Sequence, residues 1–351
     1  MSASAAPPIQ YAIRQLAMGA SLSEAESRSA FGAVMQGEAT PAQIAALLVG
    51  LRVKGETADE VAGAADAMRG AMVRLSASRP GDLVDTCGTG GGAVGTFNIS
   101  TAAALLAAGL GVRVAKHGNR SFTSQCGSAD VLEALGVPVE VSVEVMEQSL
   151  RDAGIVFMFA PLMHPAMRHV GPVRRELAIP TVMNIVGPLA NPAGAGRQVV
   201  GVADAKRVLL IAGALKALGT VHALVVHGEP GMDEISPLGT THVVEISGGA
   251  SREWTIDPAR YGFAAGSAAE LAGGPPAENA AAVEAVLDGT APPTAVAAVI
   301  LNAAAALFVA PGGPSDYGDA IAAARSGLAD GAGMRALNRL RAAQGSLASA
   351  R

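Results

Sequence analysis

Aromatic side chains are scarce in this chain of 351 residues: they make up 3% of it, although half of the sequence is hydrophobic. A core must therefore be built from Ala, Leu, Val and Ile with close backbone approach, which the 43 glycines permit. Few aromatics also leave little with which to stack nucleic-acid bases. The length favours two domains, and one α/β domain with helical additions is the alternative.

Basic charge and cysteine are also in short supply. The formal net charge is -5, so no global field would hold a nucleic acid or an anionic membrane. The two cysteines, Cys87 and Cys126, fit neither a disulfide framework nor a zinc site, which favours a reducing, cytoplasmic location. The start, MSASAAPP, lacks the basic and apolar pattern of a secretory signal. The most membrane-like run, residues 296–310, is shorter than the ~20 residues of a bilayer span and predicts a buried core helix around Asn302.

Helix-start signals recur in the first eighty residues. Three capping-box patterns occur there: Ser21 with Glu24, Thr40 with Gln43, and Thr57 with Glu60. Gly37 and Gly55 stand where helix C-caps favour glycine. We predict a helical domain over residues 1–80, joined by a helix or helices from 161–185, and one helix over 161–179.

From residue 81 short apolar runs alternate with helical ones, which predicts an α/β domain over 81–351 with a mostly parallel sheet flanked by helices. The predicted strands are DLVDT, VRVAK, IVFMFA, VVGV, HALVVHG and THVVEIS. The tail from Pro293 reads as helical, and GGPPAENA, residues 273–280, reads as a surface loop.

The stretch VDTCGTGGGAVGTFNIST, residues 84–101, contains one acid and no basic side chain. Four glycines within residues 88–92, between a strand and a helix, can aim backbone N–H groups at an anion, and the N-terminus of the helix adds positive potential. The loop has neither the Lys-Ser/Thr ending of a P-loop nor the G-x-G-x-x-G spacing. Phosphate or diphosphate is the expected ligand, and a plain tight turn is the alternative.

A polar cluster, KHGNRSFTSQCGSAD, follows the next predicted strand. Two cations, Lys116 and Arg120, stand there among many hydroxyl and amide groups, which suits a phosphorylated sugar. The alternative is a solvated polar loop.

Two charged pairs follow. Asp233 and Glu234 offer oxygen ligands suited to Mg²⁺, or form a plain solvated turn. Arg174 and Arg175 point about 100° apart on a predicted helix, so one of them can face a pocket and hold a carboxylate.

Together the motifs GTGG…TFNIST, KHGNR…GSADVLEALG, HPAMR…VR and MDEIS resemble the anthranilate phosphoribosyltransferase family. The resemblance covers Gly81 to Ser247. It implies a helical domain joined to an α/β domain, a homodimer, and phosphoribosyl diphosphate (PRPP) bound with Mg²⁺ between the domains. The implied reaction transfers the phosphoribosyl group to the amine of anthranilate and releases diphosphate, in tryptophan biosynthesis.

The resemblance also implies residue roles. Lys116 and Arg174 are the predicted catalytic residues. Ser100, Asp233 and Glu234 would hold magnesium, and Gly88, Asn119 and Arg174 would contact anthranilate. The predicted PRPP contacts are Gly88, Gly91, Gly92, Thr96, Asn98, Ile99, Ser100, Thr101, Lys116, His117, Gly118, Asn119, Arg120, Ser121, Ser124 and Ser128.

Four positions depart from the family's usual pattern: Gly92 for an aspartate, Met163 for a histidine, Pro180 for an arginine and Cys126 for a serine. The acid missing at Gly92 would face the diphosphate and its metals, so we expect weaker sensitivity to excess Mg²⁺ than with an aspartate there. Met163 makes the acceptor channel less polar.

Two other functions are compatible with parts of this sequence. A pyrimidine nucleoside phosphorylase shares the implied fold, a glycine loop and a lysine, but the paired acids disfavour it. A non-catalytic relative that binds nucleic acid would need a basic groove, which the acidic, aromatic-poor composition disfavours.

Overall fold

The computed structural model describes residues 7–121 and 125–348. The helices in this part of the chain are α1 (Pro8–Ala17), α2 (Glu24–Gln36), α3 (Pro41–Lys54), α4 (Ala58–Ala71), α5 (Ile99–Gly109), α6 (Ser128–Ala134), α7 (Val143–Asp152), α8 (Ala160–Met163), α9 (Met167–Leu177), α10 (Met183–Val186), α11 (Val208–Ala217), α12 (Pro276–Leu287), α13 (Pro293–Val309), α14 (Tyr317–Ala329) and α15 (Ala332–Ala348). The strands are β1 (Val84–Gly88), β2 (Val114–Gly118), β3 (Ile155–Phe159), β4 (Arg197–Gly201), β5 (His222–Gly228), β6 (Thr241–Ser247) and β7 (Ala250–Ile256).

The chain divides into two compact units. The helical unit comprises the chain up to Arg74 together with Pro161–Pro192 and Leu209–Gly219. The α/β unit comprises Leu75–Ala160, Ala193–Val208 and the chain from Thr220 onward. The predicted class, a small helical domain and a larger α/β domain, is confirmed.

Capping and close packing shape the helical unit. The capping boxes of Thr40 and Thr57 are present as predicted. The prediction for Ser21 was wrong by two positions, because Ser23 caps α2 and pairs with Glu26. Helices α2 and α4 approach closely at Gly63, where an added Cβ would lie 2.7 Å from the Cβ of Ser27.

The single helix predicted over 161–179 is broken. Helix α8 ends at Met163 and α9 starts at Met167. Pro165 explains the break, since a proline disfavours helical backbone at the residue before it, here His164. Arg174 and Arg175 both lie on α9.

The α/β unit contains a seven-stranded sheet of order β3-β2-β1-β4-β5-β6-β7. Strands β1 to β5 pair in parallel, and β6 and β7 are antiparallel additions. All six predicted strands are present. Strand β7 was missed because it is mostly exposed and lacks an apolar run. The strand order reverses between β1 and β4, where ligands of open α/β sheets commonly bind at the carboxyl ends of the strands.

Helix α13 forms the centre of the core, and nearly all its residues are buried, including Asn302. This confirms the core helix predicted from the apolar run. No helix among the described residues is long and apolar enough to cross a bilayer. The surface loop predicted over 273–280 was wrong in its second half, because α12 starts at Pro276 and buries Asn279.

Candidate active site

Strands β1, β4 and β5 end in glycine at one edge of the sheet, and the segment 232–236 packs against these ends. An added Cβ at Gly88 would lie 2.7 Å from Asp233 Oδ2. At Gly201 it would collide with the Asp233 carbonyl oxygen, and at Gly228 with that of Glu234. Glycine at the strand ends therefore brings the acidic pair against the sheet.

The glycine loop, Gly88–Asn98, joins β1 to α5. The Gly90 N–H donates to Asp233 Oδ2 at 2.8 Å, and the Ala93 N–H donates to the Gly231 carbonyl oxygen at 2.8 Å. Gly90 and Gly91 adopt φ angles of 71° and 78°, which side chains disfavour. The predicted glycine loop and acidic pair are thus brought together.

Glu234 lies at the N-terminus of α5, where its Oε1 accepts the Ser100 N–H at 3.2 Å. Burial, followed by the neighbouring Asp233 carboxylate, raises the pKa of Glu234 to about 8. Burial also raises the pKa of Asp233. Two crowded carboxylates repel one another, so this position favours a bound cation.

Asn302 holds the backbone beside this pair. Its Oδ1 accepts the Ile235 N–H at 3.0 Å, and its Nδ2 donates to the Ile235 carbonyl oxygen at 3.0 Å. Sequence reasoning missed this role, and the available signal was one amide within an apolar helix.

Lys116 is buried on β2. Its Nζ donates to the Thr86 carbonyl oxygen and contacts Ser100 Oγ at 3.4 Å. Burial lowers the pKa of Lys116, while Asp85 and Glu234 act to raise it. The ammonium therefore lies beside the predicted magnesium ligands.

The polar loop, Asn119–Gly127, follows β2. Asp130 closes its base, because its Oδ2 accepts the N–H groups of Ser121 at 3.2 Å and Gly127 at 2.8 Å. Ser128 Oγ donates to the Asn119 carbonyl oxygen at 3.3 Å. Ser124, a predicted PRPP contact, lies outside the described residues.

Arg120, predicted as a second phosphate-binding cation, has acidic partners in the segment that follows it. Its guanidinium pairs with Asp130 at 3.0 Å and with Glu133 at 2.9 Å, and it also reaches Glu140. It lies 5.4 Å from the ring centroid of Phe159. Arg120 thus forms its ion pairs with acids of the nearby helix α6. Lys116 is the better candidate to bind a phosphate.

The other predicted PRPP contacts lie on the glycine loop, in the first turn of α5 and at the end of β2. Thr96 forms an isolated antiparallel β-bridge with Ala272. The His117 N–H donates to Asp85 Oδ1 at 3.2 Å. Gly118 leaves room for Ser128, and a Cβ at Gly92 would lie 3.1 Å from Asp233 Oδ1. Ile99 and Thr101 are buried in the first turn of α5.

In the helical unit, Arg174 is half-buried and Arg175 is exposed. Burial lowers the pKa of Arg174. Arg174 is thus the less exposed of the two, and its contact with anthranilate stays a prediction.

The donor set fits magnesium. Within residues 7–121 and 125–348, no three His, Cys, Asp or Glu side chains cluster as a metal site. Asp233, Glu234 and the Ser100 hydroxyl offer oxygen atoms only. Mg²⁺ commonly takes one or two carboxylates and fills its remaining positions with waters and substrate phosphates.

Two family descriptions match this chain. Residues 80–334 match the glycosyl transferase family, a/b domain, and residues 10–72 match the helical bundle domain of the glycosyl transferase family. The anthranilate phosphoribosyltransferase of Anaeromyxobacter dehalogenans strain 2CP-C is 50% identical over 337 residues, 95% of this chain and 98% of that protein. That of Rubrobacter xylanophilus is 48% identical over 94% of this chain and 96% of its own length.

Solved structures agree in fold. The anthranilate phosphoribosyltransferase of Thermus thermophilus superposes with a TM-score of 0.89 and 42% identity, covering 95% of this chain and 99% of that one. The Saccharomyces cerevisiae enzyme in complex with PRPP and Mg gives a TM-score of 0.87 and 27% identity, covering 98% and 99%. The yeast enzyme has also been solved in complex with 4-fluoroanthranilate, with a TM-score of 0.85, 25% identity and coverage of 96% and 98%.

Proposed function

The chain belongs to the anthranilate phosphoribosyltransferase family, and from this premise we propose that it transfers the phosphoribosyl group of PRPP to anthranilate. The observation that carries the proposal is the hydrogen bond from the Gly90 N–H to Asp233, which joins the glycine loop to the acidic pair. The same edge of the sheet holds the buried Lys116. This arrangement suits a diphosphate and its counterions.

In the proposed reaction the anthranilate amine attacks C1 of the ribose. A C–N bond forms, the C–O bond to diphosphate breaks, and its electron pair leaves with the diphosphate; the amine then loses a proton. Backbone N–H groups of the glycine loop and the Lys116 ammonium would stabilise the charge on the departing group. Arg174 would orient the acceptor carboxylate.

Magnesium binding is part of this proposal, with Ser100, Asp233 and Glu234 as ligands. The ion would supply positive charge to the leaving diphosphate. The yeast relative solved with PRPP and Mg supports the assignment.

A homodimer and a cytoplasmic location complete the proposal. The exposed apolar side chains of Met18 and Val53 on the helical unit suit a subunit interface. The sequence holds only two cysteines, Cys87 and Cys126, which suits a reducing compartment. Light scattering during gel filtration should give twice the chain mass, and a monomer at all concentrations would exclude the dimer.

The activity test is the loss of anthranilate fluorescence on mixing with PRPP and Mg²⁺. We expect turnover there and no phosphorolysis of thymidine or uridine. Phosphorolysis without loss of anthranilate would favour the nucleoside phosphorylase. A gel shift of nucleic acid without any use of PRPP would favour the non-catalytic relative.

A further inference from the structure

Asn279 is a buried amide whose orientation is fixed by a backbone group. It lies in the first turn of α12 and is 2% exposed. Its Oδ1 accepts the Gly274 N–H at 2.7 Å. Because a backbone N–H requires an acceptor, the amide oxygen must point to Gly274 and the amide nitrogen must point away from it.

The amide nitrogen of Asn279 in turn fixes Asn98, at the end of the glycine loop. Asn279 Nδ2 donates to Asn98 Oδ1 at 2.9 Å. Asn98 precedes α5 but accepts no hydrogen bond from the helix through its side chain, unlike a usual N-cap asparagine. The Asn98 side-chain oxygen accepts the hydrogen bond from Asn279 instead.

The amide nitrogen of Asn98 therefore points away from Asn279. Asn98 Nδ2 donates to the Cys126 carbonyl oxygen at 3.3 Å. An amide nitrogen carries two hydrogens, so Asn98 has one further donor at this end besides the hydrogen given to Cys126. Donors are what an anionic ligand at a helix N-terminus requires.

The segment before α12 also supports the glycine loop through its backbone. The Phe97 N–H donates to the Leu271 carbonyl oxygen at 2.9 Å, and the Gly273 N–H donates to the Gly95 carbonyl oxygen at 3.4 Å. Asn279 and Asn98 are thus held by two segments that are themselves paired.

We propose that Asn279 is a positioning residue for the donor substrate, which keeps the Asn98 amide turned so that it donates to PRPP. The inference rests on the proposed function, because it takes PRPP as the ligand of the glycine loop. Asn279 acts through Asn98 and does not itself contact the substrate.

The main test is Asn279→Asp, which keeps the shape and still accepts the Gly274 N–H. A carboxylate cannot donate to Asn98, so we expect the Asn98 amide to turn over and to place its oxygen where its nitrogen now lies. By calorimetry with Mg²⁺, we expect the Kd for PRPP to rise about tenfold or more, as when a charged hydrogen bond is lost. The KM for anthranilate should stay near the wild-type value. A Kd for PRPP within about twofold of wild type would overturn the proposal.

Two controls separate positioning from added charge. Ala277→Asp adds the same charge at an exposed position of the same helix turn and should leave the Kd unchanged. In an Asn98→Ala background, Asn279→Asp should have little further effect, since the amide it acts through is gone. Additive effects would show that Asn279 acts by another route and would refute the proposal.

If Asn279→Asp does not fold, Asn279→Ser serves in the same cycle, with a smaller rise in Kd that again vanishes without the Asn98 amide. Binding of PRPP to the wild-type protein tests the proposed function separately. A wild-type protein that binds no PRPP would refute the proposed function and this inference with it, whereas wild-type binding with an unaffected variant would refute this inference alone.

Discussion

The glycine loop and the polar loop leave the same edge of the sheet after neighbouring strands, but different partners hold them. The glycine loop is rich in glycine and carries no charged side chain, and residues far along the chain, Asp233 and Asn279, fix it. The polar loop is closed by Asp130, only three residues beyond its end. The same local acids occupy the guanidinium of Arg120. Backbone amides in a glycine-rich turn suit an anionic ligand, whereas a cation paired within its own segment serves the fold.

The largest effect is expected at Gly201, which lies outside the glycine loop in sequence. In Gly201→Ala the new methyl group collides with the Asp233 backbone and displaces the acidic pair. We expect kcat/KM for PRPP to fall about 100-fold, as for a misplaced reactive group. Steady-state kinetics and thermal unfolding of the same preparation measure this.

Two further glycine variants should have smaller effects on kcat/KM than Gly201→Ala. Gly88→Ala should have a smaller effect, since it meets mainly the movable carboxylate of Asp233. Gly32→Ala, whose methyl group meets nothing within 4 Å, should keep full activity. If a folded Gly201→Ala protein kept wild-type kinetics, this would contradict the claim that the distant Asp233 segment fixes the glycine loop.

Arg174 lies outside both loops and should affect the acceptor alone. In Arg174→Ala we expect the KM for anthranilate to rise about tenfold, the value of a charged hydrogen bond, with a smaller fall in kcat. The Kd for PRPP from calorimetry serves as the internal control. An unchanged KM for anthranilate would refute the assignment of Arg174.

Gly92 tests how much charge the glycine loop tolerates. In Gly92→Asp a second carboxylate stands beside Asp233, since the new Cβ lies 3.1 Å from Asp233 Oδ1. We expect the rate at excess Mg²⁺ to fall about two- to fivefold relative to wild type, the effect of one partly exposed charge pair. Rates measured across a magnesium series decide this. A wild type that is itself steeply inhibited, with no change in Gly92→Asp, would contradict the prediction.

The smallest effect on binding is expected at Arg120. In Arg120→Gln the ion pairs with α6 are lost, which should lower the free energy of unfolding by about 1 kcal/mol, because these pairs are partly exposed. The Kd for PRPP should stay within about threefold of wild type. If PRPP binding weakened strongly while the thermal midpoint stayed fixed, Arg120 would be a phosphate ligand, as the sequence first indicated.

Local patterns predicted most of the fold. Apolar runs located all six proposed strands, and the capping boxes at Thr40 and Thr57 marked their helices correctly. Strand β7 was missed because an exposed edge strand needs no apolar pattern. The break after Met163 was missed because the apolar pattern continues across it.

The candidate site was predictable where a residue type alone implies its chemistry, as with the acidic pair and Lys116. Side-chain pairing was not predictable in this way. The pairing of Arg120 with Asp130 depends on how the loop between them folds. The support from Asn279 and Asn302 depends on contacts across 181 and 67 residues. A sequence read in short segments does not reveal such contacts.

The most direct test of the central claim is a crystal structure of this protein with PRPP and Mg²⁺. We predict diphosphate oxygens against the backbone N–H groups of the glycine loop, with metal at Asp233 and Glu234. An empty glycine loop, with the diphosphate bound elsewhere, would contradict the account.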